Sequence, residues 1–198
     1  MKDFWNQRYT SKEFAYGIEP NDFFRHQIDK LRPGKLLLPG EGEGRNAVYA
    51  AKNGWEVTAV DFSVKAKVKA NRLAFWHQVE INYIVESLEN ADLPENHFDA
   101  VGFIYVHLNS TDLKKAMEKI LESMKSGGVL IFECFSEKQY GRKTGGPKTL
   151  DRLYTVSQIS NLFSDLKVSY LQEEEIPLDE GEFHQGRGMV IRGVATKP

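Results

Sequence analysis

Short apolar runs alternate with amphipathic stretches along this chain, and that alternation is the feature that most constrains its fold. Turn residues bound the clearest runs, which are predicted to be strands: Lys35–Leu38, Trp55–Val60, Phe98–Val106 and Gly128–Phe135. A weaker strand is predicted at Ile81–Val85. Uninterrupted apolar runs of this length are typical of a parallel sheet that is covered on both faces.

Helical patterns occupy the stretches between these strands. One apolar stripe has helical spacing and is predicted to end at Gly127–Gly128; its members are Leu113, Ala116, Met117, Ile120, Leu121 and Met124. Thr155 and Gln158 form a capping-box pattern, which predicts a short helix through Phe163.

Another helix is predicted after the strand that ends at Val60. Its apolar stripe consists of Ala66, Ala70 and Leu73. Its basic residues lie on a different face, which we expect to be solvated rather than to bind nucleic acid: Lys65, Lys69 and Arg72.

Two final strands are predicted at about Leu166–Ile176 and Phe183–Ala195. The link between them is too short to hold a crossover helix, so they are predicted to be antiparallel. The β-α alternation before them predicts the α/β class, with a doubly wound and mostly parallel sheet.

Composition limits the classes of function. The 26 Lys and Arg nearly balance the 28 Asp and Glu, which argues against a nucleic-acid or membrane-surface partner. Cys134 is the single cysteine, so an internal disulfide and a multi-cysteine zinc site are excluded, and its place in a strand predicts burial. We expect no metal. The first residues lack the apolar core of a secretory leader, and no apolar run is long enough to span a membrane, which predicts a cytoplasmic protein.

The strongest local motif is Gly40-Glu41-Gly42-Glu43-Gly44-Arg45-Asn46, which follows one predicted strand and precedes a helical stretch. Glycines in that context let a ligand approach the backbone. Arg45 stands where a dinucleotide fingerprint requires glycine, and Glu41 and Glu43 would repel a pyrophosphate. The loop therefore favours a ligand that carries an ammonium or a sulfonium group.

Asp61 ends the next strand, 21 positions after Gly40. An acid at that place can accept hydrogen bonds from both hydroxyls of a ribose. The alternative is that Asp61 caps the following helix, a role that Ser63 could fill instead.

Over nearly its whole length the sequence resembles class I S-adenosylmethionine-dependent methyltransferases, most closely the branch of tellurite-resistance methyltransferases and, more distantly, thiopurine S-methyltransferases. The motifs that carry the resemblance follow in order: Trp5–Tyr9, Phe14–Gly17, Glu19–Asn21, Gly40–Asn46, Val60–Asp61, Leu93–Pro94, Phe98–Asp99, Thr144–Pro147 and His184–Gly186. The resemblance implies a Rossmann-like seven-stranded fold in one domain, residues 1–198, with residues 1–32 as an N-terminal helical cover.

The resemblance also implies a cofactor, S-adenosyl-L-methionine, and the residues that would bind it: Tyr16, Gly40, Glu41, Gly42, Asp61, Phe62, Ser87, Leu88 and Ile104. The sequence departs from the family pattern at Leu38, where an acid is usual, and at Ser87, where an acid usually follows the third strand. Glu41 is expected to supply the missing charge toward the cofactor ammonium.

Three residues are candidates for the chemistry. His107 follows a strand and His184 lies in a glycine-rich polar segment, so both are candidate bases. Arg187 could hold an anionic substrate. The alternative for each histidine is a purely structural role, in which its ring makes a hydrogen bond within the protein. Thr144–Pro147 is expected to be a lid, or else a surface turn.

The function expected from these features is methyl transfer to a small-molecule acceptor, a thiol or a chalcogen anion being candidates. The alternative is a catalytically silent domain that binds the cofactor or a partner. No nucleic-acid or membrane partner is expected, and the protein would be a monomer or a homodimer. A third hypothesis is that the protein is a nicotinamide-dependent oxidoreductase.

Overall fold

The computed structural model describes residues 2–198 and contains a seven-stranded sheet in the order β3-β2-β1-β4-β5-β7-β6. The strands are β1 Lys35–Pro39, β2 Glu56–Val60, β3 Asn82–Ile84, β4 Phe98–Ile104, β5 Met124–Phe135, β6 Lys167–Glu180 and β7 His184–Thr196. The helices are α1 Lys2–Arg8, α2 Asp22–Ile28, α3 Arg45–Lys52, α4 Val64–Trp76, α5 Ser110–Ser123 and α6 Val156–Leu162.

The first five strands are parallel, and β7 pairs antiparallel with both β5 and β6. The predicted fold class is therefore confirmed: a doubly wound α/β sheet with an antiparallel C-terminal pair. The order of the strands reverses at β1 and β4, and ligands of such sheets bind at that switch point, outside the carboxyl ends of the strands.

Alternating residues of β1 place apolar side chains on both faces of the sheet. Leu37 packs in a core with α5 and α6, whereas Leu36 and Leu38 pack on the other face against α2, α3 and α4. Both faces are thus covered, which explains why the strands are continuous apolar runs. Cys134 is buried, as predicted. Within residues 2–198 no helix is long and apolar enough to cross a membrane.

Two boundaries differ from the sequence prediction. Helix α5 ends at Ser123 rather than at Gly127, because Met124 already pairs with Phe98 at the start of β5. Strand β6 continues through Pro177 to Glu180, so the turn before β7 has only three residues. The capping box of Thr155 and Gln158 is present as predicted.

The expected solvated face of α4 is wrong at Lys69, which is buried. Its ammonium forms an ion pair with the buried Glu43 and also donates to the carbonyl of Glu13. A second contact of Glu43 fixes the same segment, since Oε2 accepts from the backbone N–H of Ala15 at 2.7 Å. Residues 13–15 are thereby attached to the loop after β1. The role of residues 1–32 as a cover stays a prediction, and Met1 lies outside the described residues.

Candidate active site

The glycine loop leaves the carboxyl end of β1 and leads directly into α3. Gly40, Gly42 and Gly44 have φ values of 61°, 65° and 92°, which side chains other than glycine rarely adopt. A Cβ on Gly44 would lie 2.7 Å from the Cβ of Ala70, so this glycine also allows α4 to pack closely against the loop. The motif therefore forms a tight backbone turn at the switch point of the sheet.

Asp61 holds the middle of this loop from the end of β2. Its Oδ2 accepts from the Gly42 N–H at 3.1 Å, and its Oδ1 accepts from the Ser63 N–H at 2.8 Å. Burial raises the pKa of Asp61 to about 6. The Tyr83 hydroxyl donates to the Gly42 carbonyl at 2.6 Å. Ser63, not Asp61, caps α4 by accepting from Ala66.

The two loop carboxylates have different surroundings. Glu41 Oε1 accepts from the Ala47 N–H at 2.8 Å, in the first turn of α3, and burial raises its pKa to about 7. Glu43 forms the ion pair with Lys69 and accepts the hydrogen bond from the Ala15 N–H. One oxygen of Glu41 is thus used inside the loop, and its expected contact with an ammonium stays a prediction.

The segment before β1 packs over the loop. The Tyr9 hydroxyl lies 2.9 Å from the position that a Cβ on Gly42 would take, and the Tyr9 ring stacks on Trp5 at 5.6 Å. Asn6 accepts from the Ser63 hydroxyl at 2.7 Å. These contacts attach the N-terminal segment to the glycine loop and to the start of α4.

The other predicted cofactor residues lie at the ends of neighbouring strands. Ile104 ends β4 and is buried, while Phe62 and Leu88 are half-buried. The hydroxyl oxygen of Ser87 is buried and has no hydrogen-bond partner within residues 2–198. An unpartnered buried hydroxyl costs free energy unless a ligand or water satisfies it.

A histidine–aromatic cluster follows the carboxyl end of β4; its members are Tyr16, Tyr105, His107, Phe135, Tyr154 and His184. Three of its ring centroids lie close together, Tyr105 to Phe135 at 4.8 Å, Tyr105 to His184 at 4.8 Å and Phe135 to His184 at 5.2 Å. Tyr16 lies 4.6 Å from His184, and His107 lies 5.6 Å from Phe135. The structure therefore brings both predicted histidines and Tyr16 into one group.

Two polar atoms of this cluster are buried and unpartnered within the described residues, the Tyr105 hydroxyl and His107 Nε2. His107 Nδ1 lies 2.9 Å from the Arg152 carbonyl, which assigns the ring proton to Nδ1 and leaves Nε2 an acceptor. Burial lowers the pKa of His107 to about 3, so its ring is neutral. Tyr105 has φ 54°, a strained conformation of the kind that clusters at functional sites.

A buried polar network backs the cluster. Glu180 accepts from Asn21 at 3.0 Å and pairs with Arg45 at 3.2 Å and with His184 Nδ1 at 2.9 Å. Asn21 also donates to Glu133 at 2.8 Å. The network connects α3, β5 and the two ends of the β6–β7 turn.

The Thr144–Pro147 segment packs against the cluster. Cβ atoms on Gly145 and Gly146 would lie 2.7 Å from His184 Cδ2 and 2.8 Å from Phe135 Cδ2. The Thr144 hydroxyl donates to the Arg187 carbonyl at 2.8 Å. The segment is therefore not a free surface turn, and its opening as a lid stays a prediction.

The structure does not bring Arg187 into this group. Its side chain is exposed and pairs with Glu175 at 2.9 Å on β6. Successive strand residues face opposite sides of the sheet, and Arg187 is an odd number of positions after His184. A role for Arg187 in holding substrate therefore has no support from its position.

Sequence reasoning missed Tyr105, Glu180 and Arg45. Tyr105 directly follows β4, where bound groups of α/β proteins lie, and that position was a usable signal. Glu180 could not be separated from the other acids near the last turn, because its partners come from distant segments of the chain.

Residues 37–132 match the protein family described as a methyltransferase domain. This part of the chain is therefore similar to a methyltransferase domain. A demethylmenaquinone methyltransferase of Renibacterium salmoninarum is 31% identical over 111 residues, which is 55% of this chain and 45% of that protein. The chain thus spans about half the length of this curated relative.

Solved structures share the fold of this chain over its full length. TehB from Haemophilus influenzae superposes with a TM-score of 0.75 at 16% identity, covering 100% of this chain and 67% of that one. NodS, an N-methyltransferase of Bradyrhizobium japonicum solved with S-adenosyl-L-homocysteine, gives 0.74 at 14% identity and covers 100% of this chain and 98% of its own. At such identities the likeness concerns the fold.

Proposed function

We propose that this protein transfers a methyl group from S-adenosyl-L-methionine to a small-molecule acceptor. The observation that carries the proposal is the Asp61 carboxylate, held beside Gly42 where β1 and β2 end. A carboxylate at that place can accept from both ribose hydroxyls. The histidine–aromatic cluster follows the adjacent strand and is the proposed place of the acceptor.

The residues around Asp61 fit this cofactor. The positive-φ glycines Gly40 and Gly42 form the tight turn at the end of β1, and we propose that its methionine part lies beside this turn. The unpartnered hydroxyl of Ser87 suits a polar atom of the adenine, and Phe62 and Leu88 offer apolar contact to its ring. Ile104, Tyr16 and Glu41 complete the proposed cofactor site.

The cofactor supplies an electrophilic methyl group, so the protein has mainly to position the acceptor in line with it. His107 Nε2 and the Tyr105 hydroxyl offer one acceptor and one donor of hydrogen bonds to a bound molecule. The rings of Phe135 and Tyr16 would exclude water from the reacting atoms.

We infer a small acceptor, and a thiol or a chalcogen anion is the first class to test. The resemblance to the tellurite-resistance and thiopurine branch supports sulfur, selenium or tellurium, while the relative named for demethylmenaquinone supports a quinone-type ring. The formal net charge of −2 supports an acceptor other than a nucleic acid or a membrane surface. We propose a cytoplasmic monomer or homodimer.

Isothermal titration with S-adenosylhomocysteine tests the cofactor site. We expect binding to the natural protein, weaker binding to Asp61→Ala, and unchanged binding to Asp165→Ala, whose residue is exposed near the start of β6. No binding to any of the three excludes the proposal.

Labelled methyl transfer to a panel of thiols, selenite, tellurite and hydroquinones then identifies the acceptor. Robust binding without transfer to any member would favour the catalytically silent alternative.

A further inference from the structure

Glu180 and His184 face each other across the turn that joins the last two strands. Glu180 ends β6, His184 begins β7, and the two are register partners. Glu180 Oε2 lies 2.9 Å from His184 Nδ1, with side chains 15% and 7% exposed. A carboxylate and an imidazole are thus joined in a nearly closed environment.

The Glu180 carboxylate is fixed from other directions as well. Arg45 on α3 pairs with Oε2 at 3.2 Å, and Asn21 before α2 donates to Oε1 at 3.0 Å. Burial alone would raise the pKa of Glu180, but Arg45 and His184 outweigh it and lower the pKa to about 2. Glu180 is therefore ionised at neutral pH and can only accept hydrogen bonds.

This arrangement decides the tautomer of His184. Because Glu180 only accepts, Nδ1 of His184 carries the proton and Nε2 keeps its lone pair. Burial lowers the pKa of His184, despite the opposing effect of Glu180, so the ring is neutral near pH 7. Within residues 2–198, the hydrogen bond of the His184 ring is made by Nδ1, and Nε2 has no hydrogen-bond partner.

The surroundings of His184 belong to the proposed acceptor site. The rings of Tyr16, Tyr105 and Phe135 lie around it, and Gly145 packs against its edge. The charged and titratable groups that face it come from several segments: Arg8, Tyr16, Arg45, Tyr105, His107 and Glu180. Among them, Glu180 is the group that bonds directly to the ring.

We propose that Glu180 is a positioning residue that holds His184 in the form that accepts a proton. It follows that the methyl acceptor carries an O–H or S–H group. This inference rests on the proposed function. The acceptor atom gives its proton to His184 Nε2 and uses its electron pair to bond the methyl carbon. The bond from that carbon to the sulfonium sulfur breaks, and its electron pair stays on the sulfur. Glu180 stabilises the imidazolium until its proton passes to water.

Comparing kcat with two thiols distinguishes a role of His184 and Glu180 in proton transfer from a purely structural role. An alkyl thiol is mostly protonated at neutral pH, whereas an aromatic thiol with nitro substituents is already a thiolate and needs no base. We expect His184→Gln and Glu180→Gln to lower kcat with the alkyl thiol by about 100-fold or more, the usual contribution of a general base. With the ionised thiol the loss is expected to be less than about 10-fold, since only packing changes. Glu182→Gln, an exposed acid in the same turn, is the control and should match the natural protein.

The pH profile and the ring tautomer provide independent readouts. In the natural protein, kcat with the alkyl thiol should rise with pH through an apparent pKa below 6.5, and this limb should vanish in His184→Gln. Nitrogen-15 NMR should find the Nδ1–H tautomer of His184, and an altered signal in Glu180→Gln.

Equal losses with both thiols, transfer to neither thiol, or an Nε2–H tautomer in the natural protein overturn this inference, while retained binding of S-adenosylhomocysteine leaves the proposed function standing. Absence of that binding overturns both.

Discussion

Lys69 and Glu43 form an ion pair inside the protein, with side chains only 5% and 3% exposed. Lys69 lies on α4, and Glu43 stands between two glycines of the loop after β1. Both also bind the backbone of the N-terminal segment, Lys69 at Glu13 and Glu43 at Ala15. One buried pair therefore attaches that segment to the glycine loop.

Removing one partner of this pair should be costly. Lys69→Met leaves the Glu43 charge buried and unpaired, and we expect the free energy of unfolding to fall by about 3–5 kcal/mol. Urea denaturation measures the loss. Lys65→Met, on the exposed side of α4, should change it by less than about 0.5 kcal/mol.

Replacing both partners separates the buried charge from the packing. The double variant Glu43→Gln with Lys69→Met should recover much of the stability lost by Lys69→Met, because no unpaired charge remains. A Lys69→Met variant as stable as Lys65→Met would show that Glu43 finds another partner or water.

Much of the fold was predictable, because strands covered on both faces must be apolar throughout. The apolar runs around Leu37, Ala59, Val101 and Phe132 would be unfavourable if they were exposed to water. All four of these residues lie in strands and are buried. Lys69 shows where this reasoning fails. Its helical position beside Lys65 looked solvated, and only the distant Glu43 makes its burial possible.

The candidate site divides in the same way. Asp61 and the glycines were recognisable because their positions follow strands closely in the sequence. The cluster depends on the contacts of His184 with Tyr16, Tyr105 and Phe135, which come from three separate parts of the chain. Local sequence patterns do not predict contacts between segments that are distant along the chain. The alternation of side chains along a strand, however, could have placed Arg187 on the opposite face of the sheet from His184.

Binding of S-adenosylhomocysteine should weaken as the pH falls through about 6. Burial raises the pKa of Asp61 to about 6, and a protonated carboxyl accepts hydrogen bonds poorly. Titration calorimetry across this range measures the change. Asp61→Asn should bind weakly and lose the part of the pH dependence that Asp61 causes. An affinity that is the same on both sides of pH 6 would place Asp61 away from the ligand.

Stability should depend on the protonation of Glu41. Its folded pKa is raised from 4.5 to about 7 by burial, so the folded state binds this proton more tightly than the unfolded state does. Its contribution is present in full below pH 4.5 and is lost as the pH rises through 7. Glu41→Gln should remove this loss and be relatively more stable above pH 7 by on the order of 3 kcal/mol.

Urea denaturation at a series of pH values checks that expectation. The exposed Glu56→Gln variant on β2 serves as the control for removing one carboxylate. If the free energy of unfolding depends on pH in the same way in the natural protein and in Glu41→Gln, then Glu41 is solvated and titrates normally.

The packing of Gly145 on His184 should be needed for methyl transfer. A Cβ at position 145 would lie 2.7 Å from His184 Cδ2, whereas one at Gly141 would meet no atom within 4 Å. Both glycines have positive φ values, 126° and 78°, so either alanine variant bears backbone strain. Only Gly145→Ala also displaces the imidazole, and a shift of about 1 Å near reacting groups can lower the rate about 100-fold. A Cβ at position 145 would also lie 2.8 Å from the Phe183 carbonyl oxygen, so Gly145→Ala should be the less stable variant in urea denaturation. Measured by labelled methyl transfer under conditions where both variants are folded, kcat should still fall far more in Gly145→Ala than in Gly141→Ala. Equal rates in the two variants would show that the Thr144–Pro147 segment moves away from His184 before the reaction.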